Sequence, residues 1–369
     1  IYLAGSGAVV ISGAISGGNY TQTGGFNRAG TGTVTLTGTN QNVGRWQADG
    51  GSIRVSTGAN LGSTTISTGL YAAGGFFEIR TDAGNTFSTL NAQFNNTNAG
   101  ILIDRGIAGT GSLGQTVIMG ALSNNTGINA GTIVGRDGLN LLATSLAVNG
   151  TGTSAVLASK LSGLLQIGSL TYASGTSITS QINAYGDILV TGNLTGTGAT
   201  TPVYSINSAT SSRGQVTMLG SSTLATSALR LSDGTMAVAS SAAVDSLGLL
   251  FGSSSSTAGL IYLGAGGGAL YGGTGAGETW AKPFTVNSSA SLYLFASQAG
   301  SAPTALNITG TFTNTSGTTN TLYFGGFNTS DNTMTSVIAN NASNAFNVGK
   351  TGIGTWVFAG NNTYTGTTS

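Results

Sequence analysis

Stretches with β-strand character recur along the whole chain, and only short turns separate them. Val34 and Leu36 alternate with threonines, a period of two that suits a strand with one buried face. Residues 116–119, 132–134 and 164–167 are more continuously apolar and indicate strands that are covered more deeply. Gly, Asn, Asp and Thr end most of these stretches, so the sequence predicts an all-β protein.

The short turns leave no room for helices that cross over a sheet. Parallel strands can then follow one another only if the chain winds continuously and each coil pairs with the coil below, as in a parallel β-helix, or β-solenoid. We expect one continuous, elongated rod over residues 1–369, with about 20 to 25 residues in each coil. Residues 161–170 could instead form a helical turn or two, although Ser and Gly interrupt them. A stack of antiparallel hairpins or a β-sandwich is the alternative architecture.

Composition excludes several classes of function. Charged residues make up 6% of the chain, against about 25% in an average soluble protein, and the net charge is +1 without a basic cluster that could neutralise phosphates. Nucleic-acid binding is therefore not expected. His and Cys are both absent, so neither a Ser-His-Asp triad nor a His or Cys metal site can be built. We expect no enzyme, no cofactor and no metal, and the lack of an uninterrupted apolar run predicts no membrane span.

The two ends of the chain carry copies of one motif, within residues 11–44 and 350–366. Aligning Lys350 on Arg28 places the copies 322 residues apart (350 − 28). The alignment matches Gly352 to Gly30, Gly354 to Gly32, Thr355 to Thr33, Gly360 to Gly38, Asn362 to Asn40 and Gly366 to Gly44.

Both copies resemble the passenger-associated transport repeat of bacterial autotransporter passengers. The resemblance covers roughly the first 60 and the last 25 residues, and the middle of the chain shares only the composition. It implies a right-handed β-helix at the bacterial cell surface, secreted through an outer-membrane barrel. We expect the chain to be a segment of a longer surface protein or the protomer of a filament.

One group of charges could form a catalytic or a structural site. Its members are Glu78, Arg80, Asp82, Asp104, Arg105, Arg136 and Asp137, spaced so that neighbouring coils could stack them. A polysaccharide lyase or hydrolase on a β-helix would use carboxylates beside a basic group, with Glu78, Asp82, Asp104 and Arg105 as the candidates. The structural interpretation is a ladder of ion pairs that neutralises itself, and we favour this ladder.

Other sequence motifs give only weak indications of function. Residues 109–114 have the glycine spacing of a dinucleotide-binding loop, but a chain with 62 glycines in 369 residues makes such matches by chance. Asn-x-Ser/Thr triplets, such as those at Asn328 and Asn341, predict asparagine ladders in the turns, with glycan attachment as the alternative. Aromatic residues such as Trp46 and Trp280 are expected in the core or as caps of turns, and a surface that binds glycans is the alternative.

The favoured function is an extracellular structural or adhesive β-solenoid whose protomers associate with one another head to tail. A carbohydrate-active enzyme and a glycan-binding adhesin that contacts a host or neighbouring cell are the alternatives.

Overall fold

A computed structural model describes most of the chain. The described residues are 1–16, 25–41, 44–62, 69–87, 90–96, 98–106, 113–124, 131–150, 154–174, 179–197, 203–206, 214–224, 229–244, 248–251, 259–263, 279–287, 291–296, 304–341 and 343–369. The chain divides into two compact units, Ile1–Ser180 and Gln181–Ser369. Each unit is described by itself.

The first unit consists of short strands joined by turns. They are β1 Tyr2–Leu3, β2 Val9–Ile11, β3 Gly25–Arg28, β4 Thr33–Leu36, β5 Arg45–Ala48, β6 Ser52–Val55, β7 Leu70–Ala72, β8 Phe76–Arg80, β9 Asn85–Phe87, β10 Ala92–Phe94, β11 Gly100–Asp104, β12 Thr116–Asn124, β13 Gly131–Gly135, β14 Asn140–Gly150, β15 Ser154–Leu161, β16 Leu165–Ile167 and β17 Leu170–Ser174. A single 3-10 turn, Gly58–Asn60, follows β6. The division between the units falls within β18, Thr179–Ala184.

The second unit is built in the same way. Its strands are β19 Ile188–Val190, β20 Leu194–Thr197, β21 Val203–Ile206, β22 Gln215–Met218, β23 Ser222–Leu224, β24 Leu229–Leu231, β25 Gly234–Val238, β26 Leu249–Phe251, β27 Gly259–Leu263, β28 Thr279–Trp280, β29 Phe284–Val286, β30 Leu292–Ala296, β31 Asn307–Ile308, β32 Phe312–Asn314, β33 Asn320–Gly326, β34 Asp331–Met334, β35 Phe346–Lys350 and β36 Thr355–Phe358. A second 3-10 turn spans Ser241–Ala243.

In both units the strands form parallel ladders, in which each strand pairs with a strand of the next coil. In the first unit one ladder runs from β2 through β4, β6, β8, β11 and β13 to β15. In the second unit another runs from β22 through β25, β27, β30 and β33 to β35. The fold is therefore the parallel β-helix that the sequence predicts. No α-helix occurs among the described residues, and none of their helical turns is long and apolar enough to cross a membrane.

The core is made of inward side chains that stack from coil to coil. Phe26, Trp46 and Leu70 occupy the same position in successive coils of the first unit, and all three are fully buried. Ile261 and Leu294 do the same in the second unit. Burying a large apolar side chain contributes about 1.5 to 3 kcal/mol, so these rows supply most of the stability.

Asparagine side chains close the turns, as the sequence predicts. Asn328 donates its side-chain amide to the carbonyl of Thr304, and Asn341 donates to Ser316, each one coil away. Asn332 is fully buried, accepts from the N–H of Leu306 and donates to the carbonyl of Thr355. Such bonds satisfy backbone groups at corners where the ladder is interrupted.

The two motif copies are bonded in the same way. The N–H of Ile15 donates to Oδ1 of Asn40 at 2.6 Å, and the N–H of Ile338 donates to Oδ1 of Asn362 at 2.8 Å. Ile15 precedes Asn40 by 25 residues, and Ile338 precedes Asn362 by 24. The aligned glycines Gly30 and Gly352 both have a positive φ, of 118° and 68°. Each asparagine therefore binds the preceding coil, although the two donors differ by one position in the alignment.

Some predicted details were wrong. The strand expected over residues 307–312 is two strands, β31 and β32, because Gly310 makes a corner and its Cα lies against the carbonyl of Lys282. Residues 165–167 form the strand β16 and not a helical turn. Coils also exceed 25 residues: Arg54 contacts Glu78 across a step of 24, but Arg105 contacts Asp137 across a step of 32.

Candidate functional site

The predicted charge group is divided between strands and turns of the first unit. Glu78 and Arg80 lie on β8 and Asp104 lies on β11, whereas the other four members follow the ends of β8, β11 and β13. Strand register places Arg54 beside Glu78 and Arg80 beside Asp104. In each pair the two residues are 24 positions apart in the sequence. That shared spacing is the sequence signal that would have added Arg54 to the candidate residues.

The four side chains form a continuous chain of ion pairs. Nε of Arg54 lies 2.8 Å from Oε2 of Glu78, and Nε of Arg80 lies 3.5 Å from the same oxygen. Nη1 of Arg80 also reaches Oδ2 of Asp104 at 3.1 Å. The carboxylate side chains are 10% exposed, whereas Arg54 and Arg80 are 40% and 31% exposed. The acids thus lie against the sheet, and the arginines cover them.

Glu78 is held in its charged form. Burial alone raises the pKa of its carboxyl group, because a charge is less stable away from water. Hydrogen bonds from the side chains of Ser52 and Arg54 lower that pKa, as do the positive charges of Arg54 and Arg80. These effects outweigh burial, so the pKa of Glu78 lies below its ordinary value.

The carboxylates of Asp104 and Asp137 tie the ends of two coils together. Oδ1 of Asp104 accepts the backbone N–H of Arg136 at 2.7 Å. In return the backbone N–H of Arg105 donates to Oδ2 of Asp137 at 3.1 Å. These reciprocal bonds take up N–H groups where β11 and β13 end, so both aspartates have a structural role.

Asp82 lies apart from the strand positions. The alternation of Glu78, Arg80 and Asp82 suggests one strand face, but β8 ends at Arg80 and Asp82 follows in the turn. A Cβ atom built on Gly106 would lie 3.1 Å from Oδ2 of Asp82. The Asp82 carboxylate therefore packs over Gly106 in the next coil.

The guanidinium of Arg105 is incompletely paired. Arg105 is 8% exposed, and its buried Nε and Nη2 atoms have no hydrogen-bond partner among the described residues. A buried cation that lacks partners is costly, since it loses its hydration without compensation. Unpaired N–H groups of a guanidinium can donate hydrogen bonds to a carboxylate or sulfate group.

The geometry favours the ladder over catalysis. A glycosidase needs one carboxyl group that keeps its proton near neutral pH, while arginines on both sides keep Glu78 ionised. No group of three or more His, Cys, Asp or Glu side chains in the described part of the chain could hold a metal ion. Catalysis by Glu78, Asp82, Asp104 and Arg105 stays an untested prediction.

Trp46 and Trp280 lie in the core, as favoured from the sequence, and the alternative of an exposed glycan-binding surface at these residues was wrong. Both side chains are fully buried. Trp46 donates its indole N–H to the carbonyl of Leu61 and packs on Phe26. Trp280 stacks on Phe284 with ring centroids 5.6 Å apart. Both tryptophans belong to the core of their own unit.

The glycine pattern at residues 109–114 lies almost entirely outside the described residues, as do residues 264–277. Comparison with known proteins adds no functional assignment, since no family model, curated protein or solved structure matches the chain.

Proposed function

We propose that this chain is a structural β-helix of an extracellular protein at the bacterial cell surface, similar to an autotransporter passenger, and that its coils stack on the coils of another copy. Its role would be to provide length and rigidity, without catalysis.

The observation that carries this proposal is the recurrence of one coil type 322 residues along the chain. Asn40 and Asn362 each accept a backbone N–H of the preceding coil, and the aligned glycines Gly30 and Gly352 both have a positive φ. Recurrent, interchangeable coils are typical of solenoids that act through their length.

Equivalent coils also explain how copies would stack. In the first motif copy, β4 pairs with β2 on one side and with β6 on the other. In the second copy, β36 is the equivalent of β4 and pairs with β34. Because β36 has the backbone groups of β4, it can accept a further parallel strand from another coil.

The surface chemistry supports a structural role. Charged residues are few. In the densest group of them the charges pair with one another, through the ion pairs that join Arg54, Glu78, Arg80 and Asp104. An uncharged surface rich in Thr, Ser and Asn suits close packing of coils, since no like charges repel one another.

A proline at Val10 tests the stacking directly. Ile11 presents its carbonyl to the N–H of Thr37 in the next coil, and neighbouring residues of a strand direct their backbone groups to opposite sides. Val10 therefore directs its N–H away from β4, and its side chain is 68% exposed. Val10→Pro removes this outward donor while leaving the pairing with β4 intact.

We expect the unmodified chain and the matched control Val10→Ala to form unbranched fibres with an axial β-repeat of about 4.8 Å, measured by electron microscopy and fibre diffraction. Val10→Pro should remain as single particles with an unchanged circular dichroism spectrum. Single particles of the unmodified chain at every concentration would refute stacking. Antibody labelling of intact cells tests the surface location separately.

A further inference from the structure

Two tyrosines stack on the outer surface of the second unit. Strand register places Tyr293 of β30 beside Tyr323 of β33, which is 30 positions further along the chain (323 − 293). Their rings lie with centroids 4.9 Å apart and an angle of 14° between the planes. A nearly parallel pair at this separation is offset-stacked, so the two rings are in contact. Leu294 and Phe324, the next residues in the two strands, are buried, whereas both tyrosines are half-buried and face outward.

The strands fix the two backbones but leave space beside the rings. A Cβ atom on Gly349 would collide with the ring of Tyr323, so that ring lies over a residue without a side chain. Tyr293 also lines a surface groove of about 360 Å³ together with Leu260 and Thr235. A tyrosine ring turns about two side-chain bonds. The rings can therefore change from face-to-face to edge-to-edge contact while β30 and β33 stay paired.

Other kinds of oxidisable side chain are absent or mostly buried. The chain contains neither Cys nor His. All four of its methionines are buried, namely Met119, Met218, Met236 and Met334. Trp46 and Trp280 are fully buried as well, whereas Trp356 is half-buried. Oxidation follows exposure, so an oxidant in solution first meets surface phenols and the indole of Trp356.

We propose that Tyr293 and Tyr323 are a site of oxidative cross-linking, where a haem peroxidase and hydrogen peroxide join the two rings as dityrosine. The peroxidase takes one electron and the phenol proton from each tyrosine, which leaves two radicals with unpaired electron density on their Cε atoms. The radicals form one Cε–Cε bond, the hydrogens on these two carbons leave as protons, and each oxygen regains one proton. The pair loses two hydrogen atoms in all, and one hydrogen peroxide is reduced to two water molecules.

Stacking favours this pair over other tyrosines. Two radicals must meet before either decays, and groups held in contact meet far more often than groups on separate copies. Tyr172 is fully buried, so a peroxidase cannot reach it. Tyr2 is 67% exposed in the other unit, where it serves as a matched control for surface oxidation.

The new bond would join two neighbouring coils. It links β30 to β33 and closes a loop of 30 residues in a chain that has no cysteine for a disulfide. A covalent link restricts the unfolded chain, so the linked form should unfold at a higher urea concentration than the unlinked form.

Treatment of the dilute chain with a haem peroxidase and hydrogen peroxide tests the proposal. We expect dityrosine fluorescence in the monomer fraction, and peptide mass spectrometry should find residues 293 and 323 in one linked product that lacks two hydrogen atoms. Tyr323→Phe keeps the stacked ring without its phenol, and should lose most of the monomer fluorescence and the gain in urea resistance. Tyr2→Phe should change neither.

Unfolding supplies a second test. In urea the strands no longer hold the rings together, so the yield of the 293–323 product should fall about tenfold. Free tyrosine in a parallel sample reports whether the peroxidase stays active in urea. Four results would overturn the proposal: no dityrosine in monomers, monomer fluorescence that Tyr323→Phe does not reduce, a 293–323 bond found only in dimers, or equal yields from folded and unfolded chain. None of these results depends on whether the chain forms fibres.

Discussion

Arg28 donates a hydrogen bond from Nη2 to the carbonyl of Gly5, 2.6 Å away in the preceding coil. Its other guanidinium nitrogens reach the carbonyls of Leu3, Ala29 and Gly32, and the side chain is 1% exposed. One side chain thus joins two coils without any acidic partner. The neutral carbonyls compensate for the lost hydration of the charge.

We expect Arg28→Met to lower the free energy of unfolding by about 3 kcal/mol, because four carbonyls in two coils lose a charged, buried donor. Urea unfolding gives the magnitude, and hydrogen exchange should locate the loss in residues 1–16. The control is Arg136→Ala, which truncates an exposed arginine. An effect no larger than that of the control would show that the Arg28 bonds contribute little.

Replacement of Arg105 should not lower the free energy of unfolding. Within the described part of the chain its Nε and Nη2 atoms are buried without partners, so its charge is poorly compensated. Replacing a buried charge by an apolar residue of similar volume is often neutral or stabilising, by about 1 to 4 kcal/mol. Arg105→Met should therefore unfold at an equal or higher urea concentration than the unmodified chain. A loss above about 1 kcal/mol would mean that Arg105 has a stabilising partner.

Glu78 makes stability depend on pH in the acid range. The pKa of its carboxyl group is lower in the folded chain than in the unfolded chain. The ionised carboxylate therefore stabilises the fold fully at pH values above the unfolded pKa of about 4.3. This stabilisation is lost as the pH falls through the folded pKa. Glu78→Gln should cost about 1 to 2 kcal/mol at pH 7 and lose less stability than the unmodified chain between pH 5 and pH 3.

Thermal unfolding at several pH values measures this difference. Asp331→Asn, which changes an exposed carboxylate, serves as the control and should leave the acid dependence nearly unchanged. Parallel pH curves for Glu78→Gln and the unmodified chain would contradict the prediction.

The parallel fold could be predicted because its signals are local. Alternating apolar residues define a strand by themselves, and turns too short for a crossover helix leave winding as the way to pair strands in parallel. The same alternation in residues 45–48 places Trp46 inward, a signal that argues against an exposed role for this residue.

The side-chain contacts within the charge group were harder to predict from the sequence than the fold. Which residues meet depends on the length of each coil, and the steps of 24 and 32 residues show how much that length varies. Tyr293 and Tyr323 meet for the same reason, since their stacking depends on the register of β30 and β33. Register is set by turn geometry, which short polar segments encode only weakly.

Gly326 and Gly352, which lie in successive coils, should respond differently to substitution. Gly326 has a φ of 107°, and a Cβ atom there would collide with the backbone carbonyl of Ala296. Gly352 has a φ of 68°, which lies in the left-handed region that other residues can adopt, and its Cβ would meet the carbonyl of Gly326 at an ordinary 3.4 Å.

We expect Gly352→Ala to cost about 1 kcal/mol of unfolding free energy, and Gly326→Ala to cost about 3 kcal/mol or more because backbone strain and a clash with main-chain atoms combine. Urea unfolding of both variants measures the difference. Equal losses would mean that the coil relaxes around Gly326. The larger loss at Gly326 would instead establish that this corner cannot move, as expected where each coil is fixed by the coil before it.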